Sequence, residues 1–88
     1  MKPEQQRIAI ARACGEDNDS IVRGLIPDYL NDLNAMHEAE QTMGDPQLWV
    51  EYQSYLSDVM AHVGWLYHAT AAQRAEAFLR TLNLWKSE

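Results

Sequence analysis

The chain holds a single cysteine, Cys14, among its 88 residues, so no disulfide can form within it. A thiolate zinc site is disfavoured on the same ground, because structural sites use two to four cysteines. Glycine is scarce as well: the four residues at 15, 24, 44 and 64 all stand alone, which leaves no glycine-rich loop to cradle a phosphate. No apolar run approaches the ~18 residues that suggest a membrane span. The opening Met-Lys-Pro-Glu-Gln-Gln-Arg lacks the apolar core of a secretory leader, and the expected location is the cytoplasm. Basic residues are few: seven Lys and Arg face thirteen Asp and Glu, for a net charge of -6. A basic patch is the electrostatic footprint of a nucleic-acid binder, so direct nucleic-acid binding is not expected.

What is present is enough apolar material for one small domain. The hydrophobic fraction is 47%, ordinary for a globular protein and too high for a disordered one. A domain this short buries only ~60% of the surface its unfolded chain exposes. Such domains often recover stability by disulfides, metals or self-association, and of these self-association stays open. The charge is unevenly spread. Residues 1–15 carry Lys2, Arg7 and Arg12 against Glu4. Residues 16–47 carry eight carboxylates (Glu16, Asp17, Asp19, Asp28, Asp32, Glu38, Glu40 and Asp45) against Arg23 alone. That acidic centre either offsets the basic ends within the fold or attracts a basic partner.

The clearest structural signal lies in the last third. Thr70 with Gln73 three residues on is a capping box, and Ala71, Ala75, Phe78, Leu82 and Trp85 follow at steps of four and three, which marks one apolar helix face. Asp45-Pro46 starts another helix, along which Trp49, Tyr52, Leu56, Val59 and Val63 step at the same spacing. Leu48, Tyr55 and Met60 widen this stripe beyond that of a typical surface helix, so two neighbours or a second chain must cover it. Pro3 and Glu4 suit a first helical turn, with Gly15 as a stop. Pro27-Asp28 opens a further helix, with Tyr29, Leu30, Leu33, Met36 and His37 directed inward and Gly44 ending it. Ile21-Val22 and Leu25-Ile26 read as a short strand, and Trp65-Leu66-Tyr67-His68 as a second extended piece.

Motifs that carry chemistry fail on inspection. His37-Glu38-Ala39-Glu40 lacks the second histidine that a zinc-protease helix needs, because position 41 is Gln41. Asp17-Asn18-Asp19 begins like a calcium loop, yet Ile21 and Val22 occupy the positions of an oxygen ligand and a glycine. Asp28 and Asp32 lie one helical turn apart without a third or fourth metal ligand. Cys14 falls at a helix carboxyl end, where the dipole opposes a thiolate. Ser20, Ser54, Ser57 and Ser87 sit in no nucleophile elbow. The expectation is therefore no catalytic residue, no metal and no cofactor.

Three blocks carry a resemblance: residues 1–15 (Met-Lys-Pro-Glu-Gln-Gln-Arg-Ile-Ala-Ile-Ala-Arg-Ala-Cys-Gly), residues 26–40 (Ile-Pro-Asp-Tyr-Leu-Asn-Asp-Leu-Asn-Ala-Met-His-Glu-Ala-Glu) and residues 69–86 (Ala-Thr-Ala-Ala-Gln-Arg-Ala-Glu-Ala-Phe-Leu-Arg-Thr-Leu-Asn-Leu-Trp-Lys). Together they resemble small phage and prophage proteins of the phage ABA-sandwich domain family. The resemblance implies a phage origin and a compact α/β layering, and it brings no activity with it. Family members have longer strand-bearing inserts after the Cys-Gly and before the Ala-Thr-Ala-Ala. Here these are shortened to Ser20–Leu25 and Gly64–His68, which favours a mainly helical version.

The expected fold is a mainly α single domain of four short helices (about 3–14, 27–43, 46–63 and 70–84) packed as a small bundle, with a vestigial two-stranded β ribbon bridging the gaps. The expected role is that of a non-catalytic phage accessory protein acting by binding, as an inhibitor of a host anti-phage defence system, one candidate partner being a nucleic-acid-binding defence enzyme. Asp28, Asp32, Glu38 and Glu40 would supply the acidic surface and Tyr55, Trp65 and Tyr67 the aromatic one. One alternative is an oligomer that sequesters a nucleotide signal, with Arg7, Arg12, Arg74 or Lys86 holding phosphate. Another is a structural part of a virion. Partners expected are a host protein and a second copy of the chain, with no membrane.

Overall fold

A computed structural model describes residues 1–59 and 69–86 of the chain. Among them are five helices and no strand: α1 (Pro3–Ala13), α2 (Asn18–Val22), α3 (Leu33–Glu40), α4 (Pro46–Val59) and α5 (Ala71–Thr81). The mainly helical reading holds. The ribbon does not: its first half, Ser20–Leu25, falls on α2 and its exit turn, and its second half lies outside the described residues. So do residues 60–63 at the end of the expected third helix.

Local chemistry explains why α2 replaced a strand. The Asp17 carboxylate accepts the Ser20 N–H and caps the helix, and this outweighs the weak β preference of Ile21 and Val22. The same exit closes both α1 and α2. At α1 the N–H of Gly15 reaches the Arg12 carbonyl and that of Glu16 reaches Ala11. At α2 the N–H of Gly24 reaches Ile21 and that of Leu25 reaches Ser20. These are Schellman caps, which need a left-handed residue; Gly15 and Gly24 supply it at φ 87° and 73°. In α5 the same role falls to Asn83 at φ 61°, with Leu84 N–H on the Leu79 carbonyl at 2.8 Å. Thr70 and Gln73 form the expected capping box at its start, at 2.9 and 3.1 Å.

The expected helix over 27–43 is shorter than its pattern. Pro27-Asp28 begins a single turn, in which the Asp28 carbonyl accepts the N–H groups of Asn31 and Asp32 at 3.2 and 2.8 Å. Asp32 is then extended (φ -113°, ψ 104°) and its carboxylate caps α3 through Asn34 and Ala35. The later start changes which residues face in. Ala35, Met36, Ala39 and Glu40 are buried, whereas Leu33 and His37, both expected inside, are exposed.

The core forms around α5, which packs against α4, α1 and α3. Ala75, Ala77, Phe78 and Leu79 are completely buried, so α5 is covered on more than the one stripe its spacing predicts. Ile10 from α1, Met36 from α3, and Tyr52 and Leu56 from α4 meet it. Complete burial of a side chain such as Phe78 contributes about 1.5–3 kcal/mol. Leu48, Trp49 and Tyr55 are half-buried against the same core. Trp49 is further fixed by its indole N–H on the Met43 carbonyl at 2.7 Å.

Candidate functional site

The residues expected to form one acidic and aromatic surface do not all lie on one. Asp28 is exposed and holds Asn31 through both carboxylate oxygens. Asp32 is exposed but spends one oxygen on the α3 cap. Glu38 is exposed on α3. Glu40 is the correction: it is only 5% exposed and ion-paired with Arg74 of α5 at 3.1 Å. Helical spacing places it beside Met36 and Ala39 on the inner face of α3, so it belongs to the fold and not to the surface. Tyr55 is half-buried and lines a shallow cleft with Arg80, Asn83 and Trp85, where the Arg80 guanidinium lies 5.2 Å from the Trp85 ring centroid. Trp65 and Tyr67 lie outside the described residues.

The Glu40–Arg74 pair ties α3 to α5 and sits beside Tyr52, whose hydroxyl is buried without a hydrogen-bond partner among the described residues. Burial is the main cause that drives the Tyr52 hydroxyl far above its ordinary pKa. The neighbouring Glu40 adds to this and Arg74 opposes it. The arrangement joins α3, α4 and α5.

A different surface collects around α2. Glu16, Asp17 and Asp19 are exposed there, and Asp17, which accepts hydrogen bonds from Ser20, is held below the usual carboxylate range. Glu16 and, from α3, Glu38 both act on Tyr29, whose hydroxyl is pushed up to about 12 by burial first, then by Cys14 and Glu16, with Glu38 adding to the effect. Val22, the last residue of α2, and Leu25, just past its exit, are 76% and 68% exposed beside this acidic stretch of the chain. Burial also raises the Cys14 pKa, against the hydroxyls of Thr42 and Tyr29, so the thiol is held protonated. The strand reading concealed this corner, because it gave Val22 and Leu25 a sheet to pair into. The signal that could have exposed it was Asp17 placed three residues before Ser20, followed by Gly24.

The four cations named for phosphate also separate. Arg7 donates to the Pro27 and Ile26 carbonyls and pairs with Glu4, and Arg74 is committed to Glu40 and the Ala69 carbonyl. Arg12 and Lys86 line one groove of about 650 Å³ beside α1. Among the described residues no group of three or more His, Cys, Asp or Glu side chains could hold a metal ion, and no helix is long and apolar enough to cross a membrane.

No protein-family model matches the chain, and neither a curated protein nor a solved structure matches it. The resemblance to phage ABA-sandwich proteins therefore rests on the three sequence blocks alone.

Proposed function

We propose that the chain acts by binding rather than by bond-making, as a phage accessory protein that occupies a basic surface on a host defence enzyme. The observation that carries this reading is the α2 corner, where Val22 and Leu25 stand exposed within a few residues of the exposed Glu16, Asp17 and Asp19. Exposed apolar side chains among like charges suit a partner that is both basic and amphipathic: the charge steers the encounter and the apolar pair provides the buried contact. A groove that ordinarily takes nucleic acid has this character. The acidic residues proposed to act are thus those around α2, together with the exposed Glu38 and Asp28 and without the buried Glu40.

The test is affinity capture from host lysate with the full chain, followed by titration of the captured protein at two salt concentrations. The reading predicts a basic protein whose affinity falls on the order of tenfold or more between 50 and 300 mM salt, about the range over which screening removes exposed charge attraction. Binding that ignores salt would remove it.

A further inference from the structure

The groove beside α1 is unusual for so acidic a protein. Residues 5, 8, 9 and 12 share one face of α1 by helical spacing, and Ile8, Ala9 and Ala13 line the groove together with Leu84 from the segment after α5. Its described lining includes two cationic side chains, Arg12 and Lys86, with the N-terminal residue Met1, and no carboxylate side chain. Elsewhere the arginines are satisfied: Arg7 pairs with Glu4, Arg23 with Asp19, Arg74 with Glu40 and Arg80 with Glu76. Arg12 and Lys86 make no ion pair among the described residues. An apolar trough whose cationic side chains meet no carboxylate among the described residues suits an occupant that is apolar and negatively charged.

The chain itself carries such an occupant. The corner at α2 presents Val22 and Leu25 with Asp17 and Asp19 beside them. It is also short: a five-residue helix is about 7 Å long, whereas the eleven residues of α1 extend about 16 Å. We propose that the α1 groove of one copy seats the Val22–Leu25 corner of another, so that the chain associates head to tail. The two patches share no residue, which makes the contact heterologous. Such contacts do not stop at a dimer unless a ring closes. One consequence is self-limitation: a corner held in another copy's groove is withheld from an outside partner.

The test uses the purified chain alone, so it can fail while the proposed function stands, and the reverse. Sedimentation of the full chain over a concentration series should show mass rising above the 10.1 kDa protomer, and salt should return it to the protomer. Two double variants, both on exposed positions, separate the patches: Arg12→Glu with Lys86→Glu spoils the groove, and Val22→Lys with Leu25→Lys spoils the corner. Each alone should be monomeric with an unchanged helical spectrum. Mixed in equal amounts they should form a 1:1 dimer that grows no further, because one intact groove meets one intact corner. Wild-type chain that stays monomeric overturns the proposal and leaves the groove to a different occupant. A mixture that stays monomeric, or a variant that still associates alone, overturns it too.

Discussion

Two regions of this molecule are held in opposite ways. Around α5 the cement is apolar: Ala75, Ala77, Phe78 and Leu79 are completely buried, and three other helices pack on them. Around α2 it is local and polar: an Asp17 cap, two glycine exits and one buried side chain, Ile21. Burial of a continuous apolar surface is cooperative and resists change, whereas a capped turn is fixed by a few hydrogen bonds and leaves its outer side chains uncommitted. The first region gives the fold and the second gives a surface that can vary without loss of the fold.

The largest effect should come from the centre of that contrast. Phe78→Ala empties the core under α5 and should cost about 3–5 kcal/mol. At roughly 4–8 °C per kcal/mol for a domain this size, the chain should be largely unfolded at 37 °C, as circular dichroism on heating would show. A cost below about 1 kcal/mol would mean that α5 is not the centre.

Arg74→Leu ranks next and sharpens the boundary between apolar and polar cement. It leaves the Glu40 carboxylate buried without its partner, at a cost of about 3 kcal/mol or somewhat more. The double variant Glu40→Leu with Arg74→Leu should regain most of that loss, because two apolar side chains of similar volume avoid the stranded charge. Chemical denaturation of the three proteins measures it. A double variant as unstable as the single one would show that Arg74 acts through contacts other than Glu40.

The smaller effect is one of pH. The fold keeps the Tyr29 hydroxyl protonated to about pH 12, against an ordinary value of 10, so on raising the pH the unfolded chain releases that proton first. Stability from this group is complete below about pH 9 and is lost as pH rises through 10 to 12. Tyr52 acts in the same direction. Tyr29→Phe should make the fall in melting temperature between pH 9 and 11 shallower, and an identical slope would contradict the assignment.

The contrast also explains what could be read in advance. The α5 helix was legible because its capping box and its apolar spacing agree, and agreement across levels is what specifies structure. Even so, the burial of Ala77 and Leu79 was not, since a stripe predicts one covered face and says nothing of a helix surrounded by three others. The start of α3 was misplaced because Pro27-Asp28 is a sound helix opening that tertiary context used for a single turn, and Asp32 took the cap. Ile21-Val22 misled in the same way. Of the candidate acidic residues, Asp28, Asp32 and Glu38 are exposed, whereas Glu40 is buried. Its ion pair joins residues 34 positions apart, and no local spacing announces a contact of that range.

The α2 corner, together with the exposed Glu38, is proposed to be the working surface and to be dispensable to the fold. The most direct measurement compares the captured partner's affinity for the wild-type chain and for the triple variant Glu16→Lys, Asp19→Lys, Glu38→Lys at one salt concentration, with both melting temperatures recorded. Exposed substitutions of this kind shift stability little, so melting should move by no more than about 5 °C while affinity falls on the order of tenfold or more. Unchanged affinity in a variant that still folds would contradict the claim.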